Sequence, residues 1–291
     1  MPIRRHPPEL KSILPQRVAA SHKGSYGHLL IIAGSDKYTG AAALMVEAAL
    51  RVGVGIVYVV ATNFTAEVIR TRSPEAVVIP VSDFNTMAIK TIASTIEKFK
   101  ISAIGIGPGL GEFESEREFY DGITNIIQST NVPVLVDADA LAPIYERMKR
   151  FSIQKSNQVI FTPHPKEFLR MIKSESFTSI EKAVMNAASK IEQVIVYKSH
   201  QSFVADQANC WYSTSGNAAL ATAGSGDVLA GIISGCLAQG ISGFKAAQFS
   251  VYLHGLIGEI VSNDLGLHSL LARDLCDNIA KGLLELERYY E

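Results

Sequence analysis

The chain has 291 residues, 47% of them hydrophobic and 19% charged, with a formal net charge of −1. This composition supplies a large buried core and excludes a disordered chain, while the near-neutral charge excludes the basic field that nucleic-acid backbones and anionic membranes attract. Three widely spaced cysteines, Cys210, Cys236 and Cys276, lack any metal-ligand spacing and read as reduced, mostly buried thiols.

In chain order, the N-terminal stretch "MPIRRHPPELKSILPQR" carries charge and proline but no apolar core of signal-peptide length. No later run approaches the ~18 to 20 apolar residues of a membrane span, and a cytoplasmic protein is expected. Short apolar runs then alternate with helix-length segments. The candidate strands are "HLLIIA", "GIVYVV", "AVVIP", "ISAIGIG", "VPVLVDA", "NQVIFT" and "QVIVYK". Near-continuous apolar strands separated by helices predict an α/β fold, a mostly parallel sheet covered on both faces. The stretch "SFVADQANCWYS" places two short strand-like pieces around a polar turn and predicts a late antiparallel hairpin. Beyond Ser225 the chain reads as helices over "DVLAGIISGCLAQ", "FKAAQFSVYLHGLIGEIVSN" and "LLARDLCDNIAKGLLELERYY". No linker or internal repeat divides it, so residues 1–291 are read as one domain.

In open α/β sheets the ligand lies beyond the carboxyl ends of the strands, near the switch in strand order. The unusual residues cluster at such ends. After the first strand come Gly34 and Gly40, then Ala41, Ala42 and Ala43, where small residues serve either a tight turn or a flat ligand. In "GPGLG", residues 107–111, three glycines exceed what one turn requires, and close approach of a phosphate or ribose is expected there. In "VDADAL", Asp137 and Asp139 stand at i and i+2, where a pleated strand would aim both to one side. Asp139 reads as a cap for the following helix; for Asp137 a water-mediated Mg²⁺ role stays open, and no metal ligand is assigned. "TPHPKE" holds His164 between two prolines as a ligand contact, with Glu167 in a helix's first turn beside the dipole. "KSHQS" carries Lys198 and adjacent hydroxyls, either a solvated turn or a reach toward nucleotide phosphates. Finally "NAALATAGSGDVLAG", residues 217–231, sets Gly224, Ser225, Gly226 and Asp227 at a helix start, which is a ready anion site. The plain alternative is that Ser225 or Asp227 caps that helix. The Met and Tyr residues on the C-terminal helices, including Tyr252 beside His254, read as packing or oligomer contacts, without chemistry.

With the segments "HKGSYGHLLIIAGSDKYTGAAAL", "GIGPGLG", "VDADAL", "TPHPKEF", "VYKSHQS", "GNAALATAGSGDVLAGIISGCLAQG" and "YLHG" in this order, the chain resembles the ADP/ATP-dependent NAD(P)H-hydrate dehydratases of the ribokinase-like superfamily. The likeness spans roughly residues 20–275, and linked motifs are far more specific than one glycine loop. The resemblance implies a ribokinase-like fold and repair of NADH hydrate and NADPH hydrate, with Mg²⁺ and with ADP or ATP as phosphoryl donor. It implies Asp227 as the catalytic acid or base, and an anion hole at Ala223, Gly224, Ser225 and Gly226. It further implies adenine-nucleotide contacts at Lys198, Ser199, His200, Gln201, Ser202 and Gly226, and hydrate contacts at Ala42, Ala43, Gly109, His164 and Asp227. A homotetramer and a separate epimerase for the other hydrate isomer complete the expectation.

Some positions depart from the family pattern. Ser25 stands where an acid often follows "KG", Ser199 and His200 where glycine is frequent, and Ala218 and Ala219 where proline and glycine are frequent. These bear on nucleotide choice. Two other readings compete: a vitamin-precursor kinase of the same superfamily, whose product would be a stable phosphate ester, and a nucleotide-binding regulatory protein without turnover.

Overall fold

The computed structural model describes residues 7–10, 13–150, 158–174 and 177–290. All seven candidate strands form, at β1 (His28–Ile32), β2 (Ile56–Thr62), β3 (Val77–Val81), β4 (Ala103–Ile106), β5 (Val134–Val136), β6 (Val159–Phe161) and β7 (Val194–Tyr197). The expected hairpin adds β8 (Phe203–Ala205) and β9 (Cys210–Tyr212). They join in one nine-stranded sheet of order β3-β2-β1-β4-β5-β6-β7-β8-β9. β1 to β7 run parallel, and β7–β8 and β8–β9 pair antiparallel.

Between the strands lie α1 (Thr39–Arg51), α2 (Asn63–Arg72), α3 (Thr86–Phe99), α4 (Glu116–Ser129), α5 (Leu141–Arg150), α6 (Pro165–Ile172) and α7 (Ile180–Ile191). After the hairpin come α8 (Ser225–Ala238), α9 (Gly243–Ser269), α10 (Ala272–Asp277) and α11 (Ile279–Tyr290). α9 is interrupted at Gly266, where φ is 75° and ψ 174°. The last segment, expected as one helix, divides at Asn278. There φ is −105° and ψ 8°, and the Asp274 carbonyl accepts both the Asn278 side-chain amide at 2.8 Å and its backbone amide at 3.2 Å.

Side-chain alternation along each strand feeds two cores. Leu29 and Ile31 pack with α1, α8 and α9, whereas Leu30 and Ile32 pack with α3, α4, α5 and α7. Pro80 falls in β3, at the sheet edge, where a missing N–H is tolerated.

α8 is set by its contact with α1. A Cβ on Gly231 would overlap the Met45 carbonyl, and one on Gly235 would overlap Val52. The small residues inside α8 therefore serve helix–helix approach, and that approach aims the start of α8 across the carboxyl ends of the strands. The order of strands reverses between β1 and β4, the neighbours whose outgoing loops diverge. There the Gly34 amide donates to the Pro108 carbonyl at 2.9 Å, and Ser35 Oγ donates to the Gly109 carbonyl at 2.9 Å.

Candidate active site

α8 begins behind Gly224, an N-cap at φ 89° and ψ −12°. The left-handed conformation favours glycine, and a Cβ there would stand 2.6 Å from Leu44 Cδ1 and 2.9 Å from Ala272 Cβ. The plain alternative, that Ser225 or Asp227 caps the helix, fails, because no side chain caps it. The Ser225 amide donates to the Thr222 carbonyl at 3.3 Å. Among the described residues, the amides of Ala223, Gly224, Gly226 and Asp227 have no backbone acceptor. A helix start with free amides and a positive dipole end attracts an anion.

Asp227 occupies the third residue of this helix, and among the described residues nothing donates a hydrogen bond to its carboxylate. Burial pushes its pKa up to about 7, with Asp137, Asp139 and Glu167 adding to the rise and Lys198 opposing it. A carboxylate so placed accepts a proton near neutral pH, which suits a general base.

Lys198 follows β7 and directs Nζ toward Asp137 Oδ1 at 2.7 Å and Glu167 Oε2 at 3.9 Å. Thr162 Oγ1 also donates to Asp137 Oδ1 at 2.7 Å. A Cβ on Gly226 would lie 3.4 Å from Lys198 Nζ, so the ammonium sits against the α8 start. Burial alone would lower the Lys198 pKa, but Asp137, Glu167 and Asp227 outweigh it and hold the pKa above the usual lysine value. Burial raises that of Glu167, against the pull of Lys198. Lys198 is thus a fixed cation in this site.

A cavity of about 820 Å³ adjoins this cluster at the carboxyl edge of the sheet. Its lining includes Tyr38, Thr62, Asp83 and Gly111, and it shares Asp139 and Glu167 with the charged cluster.

The structure places the other expected residues as follows. Asp137 and Asp139 do not share a side of a strand, because β5 ends at Val136 and Ala138 has φ 48°. Asp139 does not cap the next helix; its Oδ2 accepts from the Gly111 amide at 2.9 Å. The excess glycines of "GPGLG" answer to the protein's own backbone, since a Cβ on Gly107 would overlap the Asp137 carbonyl and one on Gly109 would stand 2.7 Å from the Tyr38 carbonyl. Ala42 and Ala43 are buried in α1.

His164 is the N-cap of α6, with Nδ1 accepting from the amides of Lys166 at 3.2 Å and Glu167 at 3.3 Å. Pro165 opens the helix, so only the residues before it are extended. Glu167 closes the capping box by accepting from the His164 amide at 2.8 Å. Beyond Lys198 the "KSHQS" segment is a self-bonded turn: Ser202 Oγ accepts from the Ser199 amide at 3.1 Å, and Ser199 Oγ accepts from the Gln201 amide at 3.2 Å. His200 and Gln201 are exposed.

Two site residues escaped the sequence reading. Glu167 was assigned to the helix dipole, yet its carboxylate also faces Lys198; the His164-to-Glu167 spacing of three was the available signal. His254 stands out in the sequence only as a neighbour of Tyr252, yet its Nε2 lies 3.1 Å from Ser225 Oγ and 3.0 Å from the Ser225 carbonyl. No local pattern pairs residues 29 apart. Tyr252, by contrast, is fully buried, as expected of a packing residue.

The sequence profile of the NAD(P)H-hydrate dehydratase family matches residues 29–281. The ADP-dependent (S)-NAD(P)H-hydrate dehydratase of Bacillus subtilis is 35% identical over 272 residues, 92% of this chain and 93% of the relative. The bifunctional NAD(P)H-hydrate repair enzyme Nnr of Coxiella burnetii is 32% identical over 90% of this chain, which spans 51% of that longer protein. The crystal structure of the Bacillus subtilis ADP/ATP-dependent NAD(P)H-hydrate dehydratase, co-crystallised with ATP/Mg²⁺, superposes with a TM-score of 0.82 at 33% identity, covering 95% of this chain and 96% of the other.

Proposed function

The chain belongs to the NAD(P)H-hydrate dehydratase family, and from that premise we propose that it restores NADH and NADPH from their (S)-hydrates with ADP or ATP as phosphoryl donor. The observation that carries the mechanism is Asp227, an acid to which nothing among the described residues donates, standing on the first turn of a helix beside the free amides of Gly224 and Gly226. The hydrate's hydroxyl gives its proton to Asp227 and attacks the terminal phosphorus. The bond from phosphorus to the nucleotide breaks, and the nucleotide leaves with the electron pair. Phosphate then departs from the ring carbon with its pair, the neighbouring carbon loses a proton, and the electrons of that C–H bond form the ring double bond.

The protein's part is positioning and electrostatics. The free amides at Ala223, Gly224 and Gly226, with Lys198 beside them, favour the charge that develops on the phosphoryl oxygens. Gly226 and the segment of Lys198, Ser199, His200, Gln201 and Ser202 are assigned to the nucleotide. Ala42, Ala43, Gly109, His164 and Asp227 are assigned to the hydrate, and the cavity beside Asp139 and Glu167 gives the dinucleotide room.

Among the described residues no three carboxylates, histidines or cysteines converge as a metal cage, and Asp137 is already held by Lys198 and Thr162. The carboxylates of Glu167 and Asp227 fit a magnesium ion carried by the nucleotide, and they are the residues that would hold it. Bound there, magnesium neutralises phosphate charge.

We assign residues 1–291 to one domain, a homotetrameric cytoplasmic assembly and cooperation with a separate epimerase. Bifunctional NAD(P)H-hydrate repair relatives, which are about twice this chain's length, support the link to hydrate repair. No helix among the described residues is long and apolar enough to cross a membrane.

The test incubates purified protein with acid-generated NADH hydrate, Mg²⁺ and either ADP or ATP, following the dihydronicotinamide absorbance. A nucleotide-dependent rise that Asp227→Asn loses supports the reading. No rise with either nucleotide, alongside consumption of ATP with a vitamin alcohol, favours the kinase instead.

A further inference from the structure

Ser225 and His254 form a polar pair between α8 and α9, 6% and 8% exposed, amid a largely apolar contact. Ser225 is one residue too late to cap α8, since Gly224 holds that place. Its amide is already taken by the Thr222 carbonyl, so its backbone has no donor left for an anion. What remains is its hydroxyl.

The geometry fixes how that hydroxyl is used. His254 Nε2 faces the Ser225 carbonyl at 3.0 Å, and a carbonyl only accepts, so Nε2 carries the hydrogen. The same N–H is shared with Ser225 Oγ at 3.1 Å, which therefore accepts from His254 and cannot donate to it. Burial pushes the His254 pKa down to about 4, which keeps the ring neutral and this arrangement in place across ordinary pH. Among the described residues the Ser225 hydroxyl hydrogen has no acceptor. A donor without an acceptor, more than nine-tenths buried at an anion-seeking helix start, is costly unless a ligand completes it.

We propose that the Ser225 hydroxyl donates a hydrogen bond to the transferring phosphoryl group, and that His254 is the positioning residue that holds it in the donating orientation. The inference rests on the phosphoryl-transfer reading above. Ser225 stands beside the free amides of Gly224 and Gly226, so its hydroxyl supplies from the side chain the donor its own amide withholds. His254 acts only through Ser225.

The test is a double-mutant cycle on the full chain with NADH hydrate, Mg²⁺ and ADP or ATP, reading kcat, the nucleotide KM and the thermal midpoint. Ser225→Ala is expected to lower kcat about a hundredfold to a thousandfold, as loss of one donor to a developing charge does, with a smaller change in nucleotide KM. His254→Leu should lower kcat alike, and His254→Gln, which keeps an N–H, should recover much of it. On the Ser225→Ala background, His254→Leu should cost little more kcat. Wild-type kcat in Ser225→Ala, or independent multiplying losses in the double variant, overturns the inference while leaving the dehydratase reading intact. Should His254→Leu fail to fold, Ser225→Ala and His254→Gln decide alone. A wild type inactive on the hydrate with both nucleotides overturns both.

Discussion

At Asp227, burial and the carboxylates Asp137, Asp139 and Glu167 push the pKa up to about 7. The folded protein then binds this proton more tightly than the unfolded chain, so stability falls as pH rises from about 4 to about 7. Asp227→Asn should therefore melt higher than wild type at pH 8, with the difference fading toward pH 4. In activity the sign reverses: kcat/KM should rise with pH to a plateau above about 7 as the base is freed, and the variant should lose ~10²- to 10⁴-fold. A variant that melts lower than wild type at pH 8 contradicts the burial argument. Lys198 obeys a different logic. Removing it strands Asp137, 1% exposed, without its ammonium. Lys198→Met should cost about 3 to 5 kcal/mol in urea unfolding, and Lys198→Met with Asp137→Asn should recover part of that. Additive losses in the pair would contradict a direct ion pair.

Among the elements, α8 carries most of the site because of what lies behind it. Gly231 and Gly235 let it approach α1, and Gly224 lets the chain enter it in a conformation closed to residues with a Cβ. Gly224→Ala should destabilise by roughly 1 to 3 kcal/mol, through left-handed strain and pressure on Leu44 and Ala272. Because that strain falls at the helix start, kcat should drop more than the thermal midpoint suggests; a stable variant with full activity would show that the amides tolerate displacement. Element by element, the strands were legible from short apolar runs that alternate with helix-length segments. The division at Asn278 was not, because apolar residues continue on both sides and the break lies in the backbone angles of that one residue. The α6 start was half legible: "HPKE" announces a helix, but not that His164 Nδ1 would serve as its cap.

For the whole molecule, the open sheet sets its outgoing loops along one edge, and the reversal between β1 and β4 separates them enough for a cavity. Ligand there and at the α8 start binds the folded state alone. Saturating MgADP or MgATP should raise the thermal midpoint, through ~2.7 kcal/mol of added stability at a hundredfold excess over Kd. Sodium phosphate alone should give a smaller rise. No shift with either nucleotide would remove the nucleotide from this site.

From residue order alone came the α/β class, the late hairpin and a helix start near Asp227. Each is carried by short-range pattern, strand periodicity or glycine next to an apolar run, which the local chain contains in full. Only the tertiary structure decided that Lys198 pairs with Asp137 across 61 residues and that His254 holds Ser225 across 29. It also decided that Asp139 turns to Gly111 instead of capping a helix. Such partners are chosen by which strand ends and helices become neighbours. That is a property of sheet order and of the α1–α8 and α8–α9 contacts, and no window of sequence holds it.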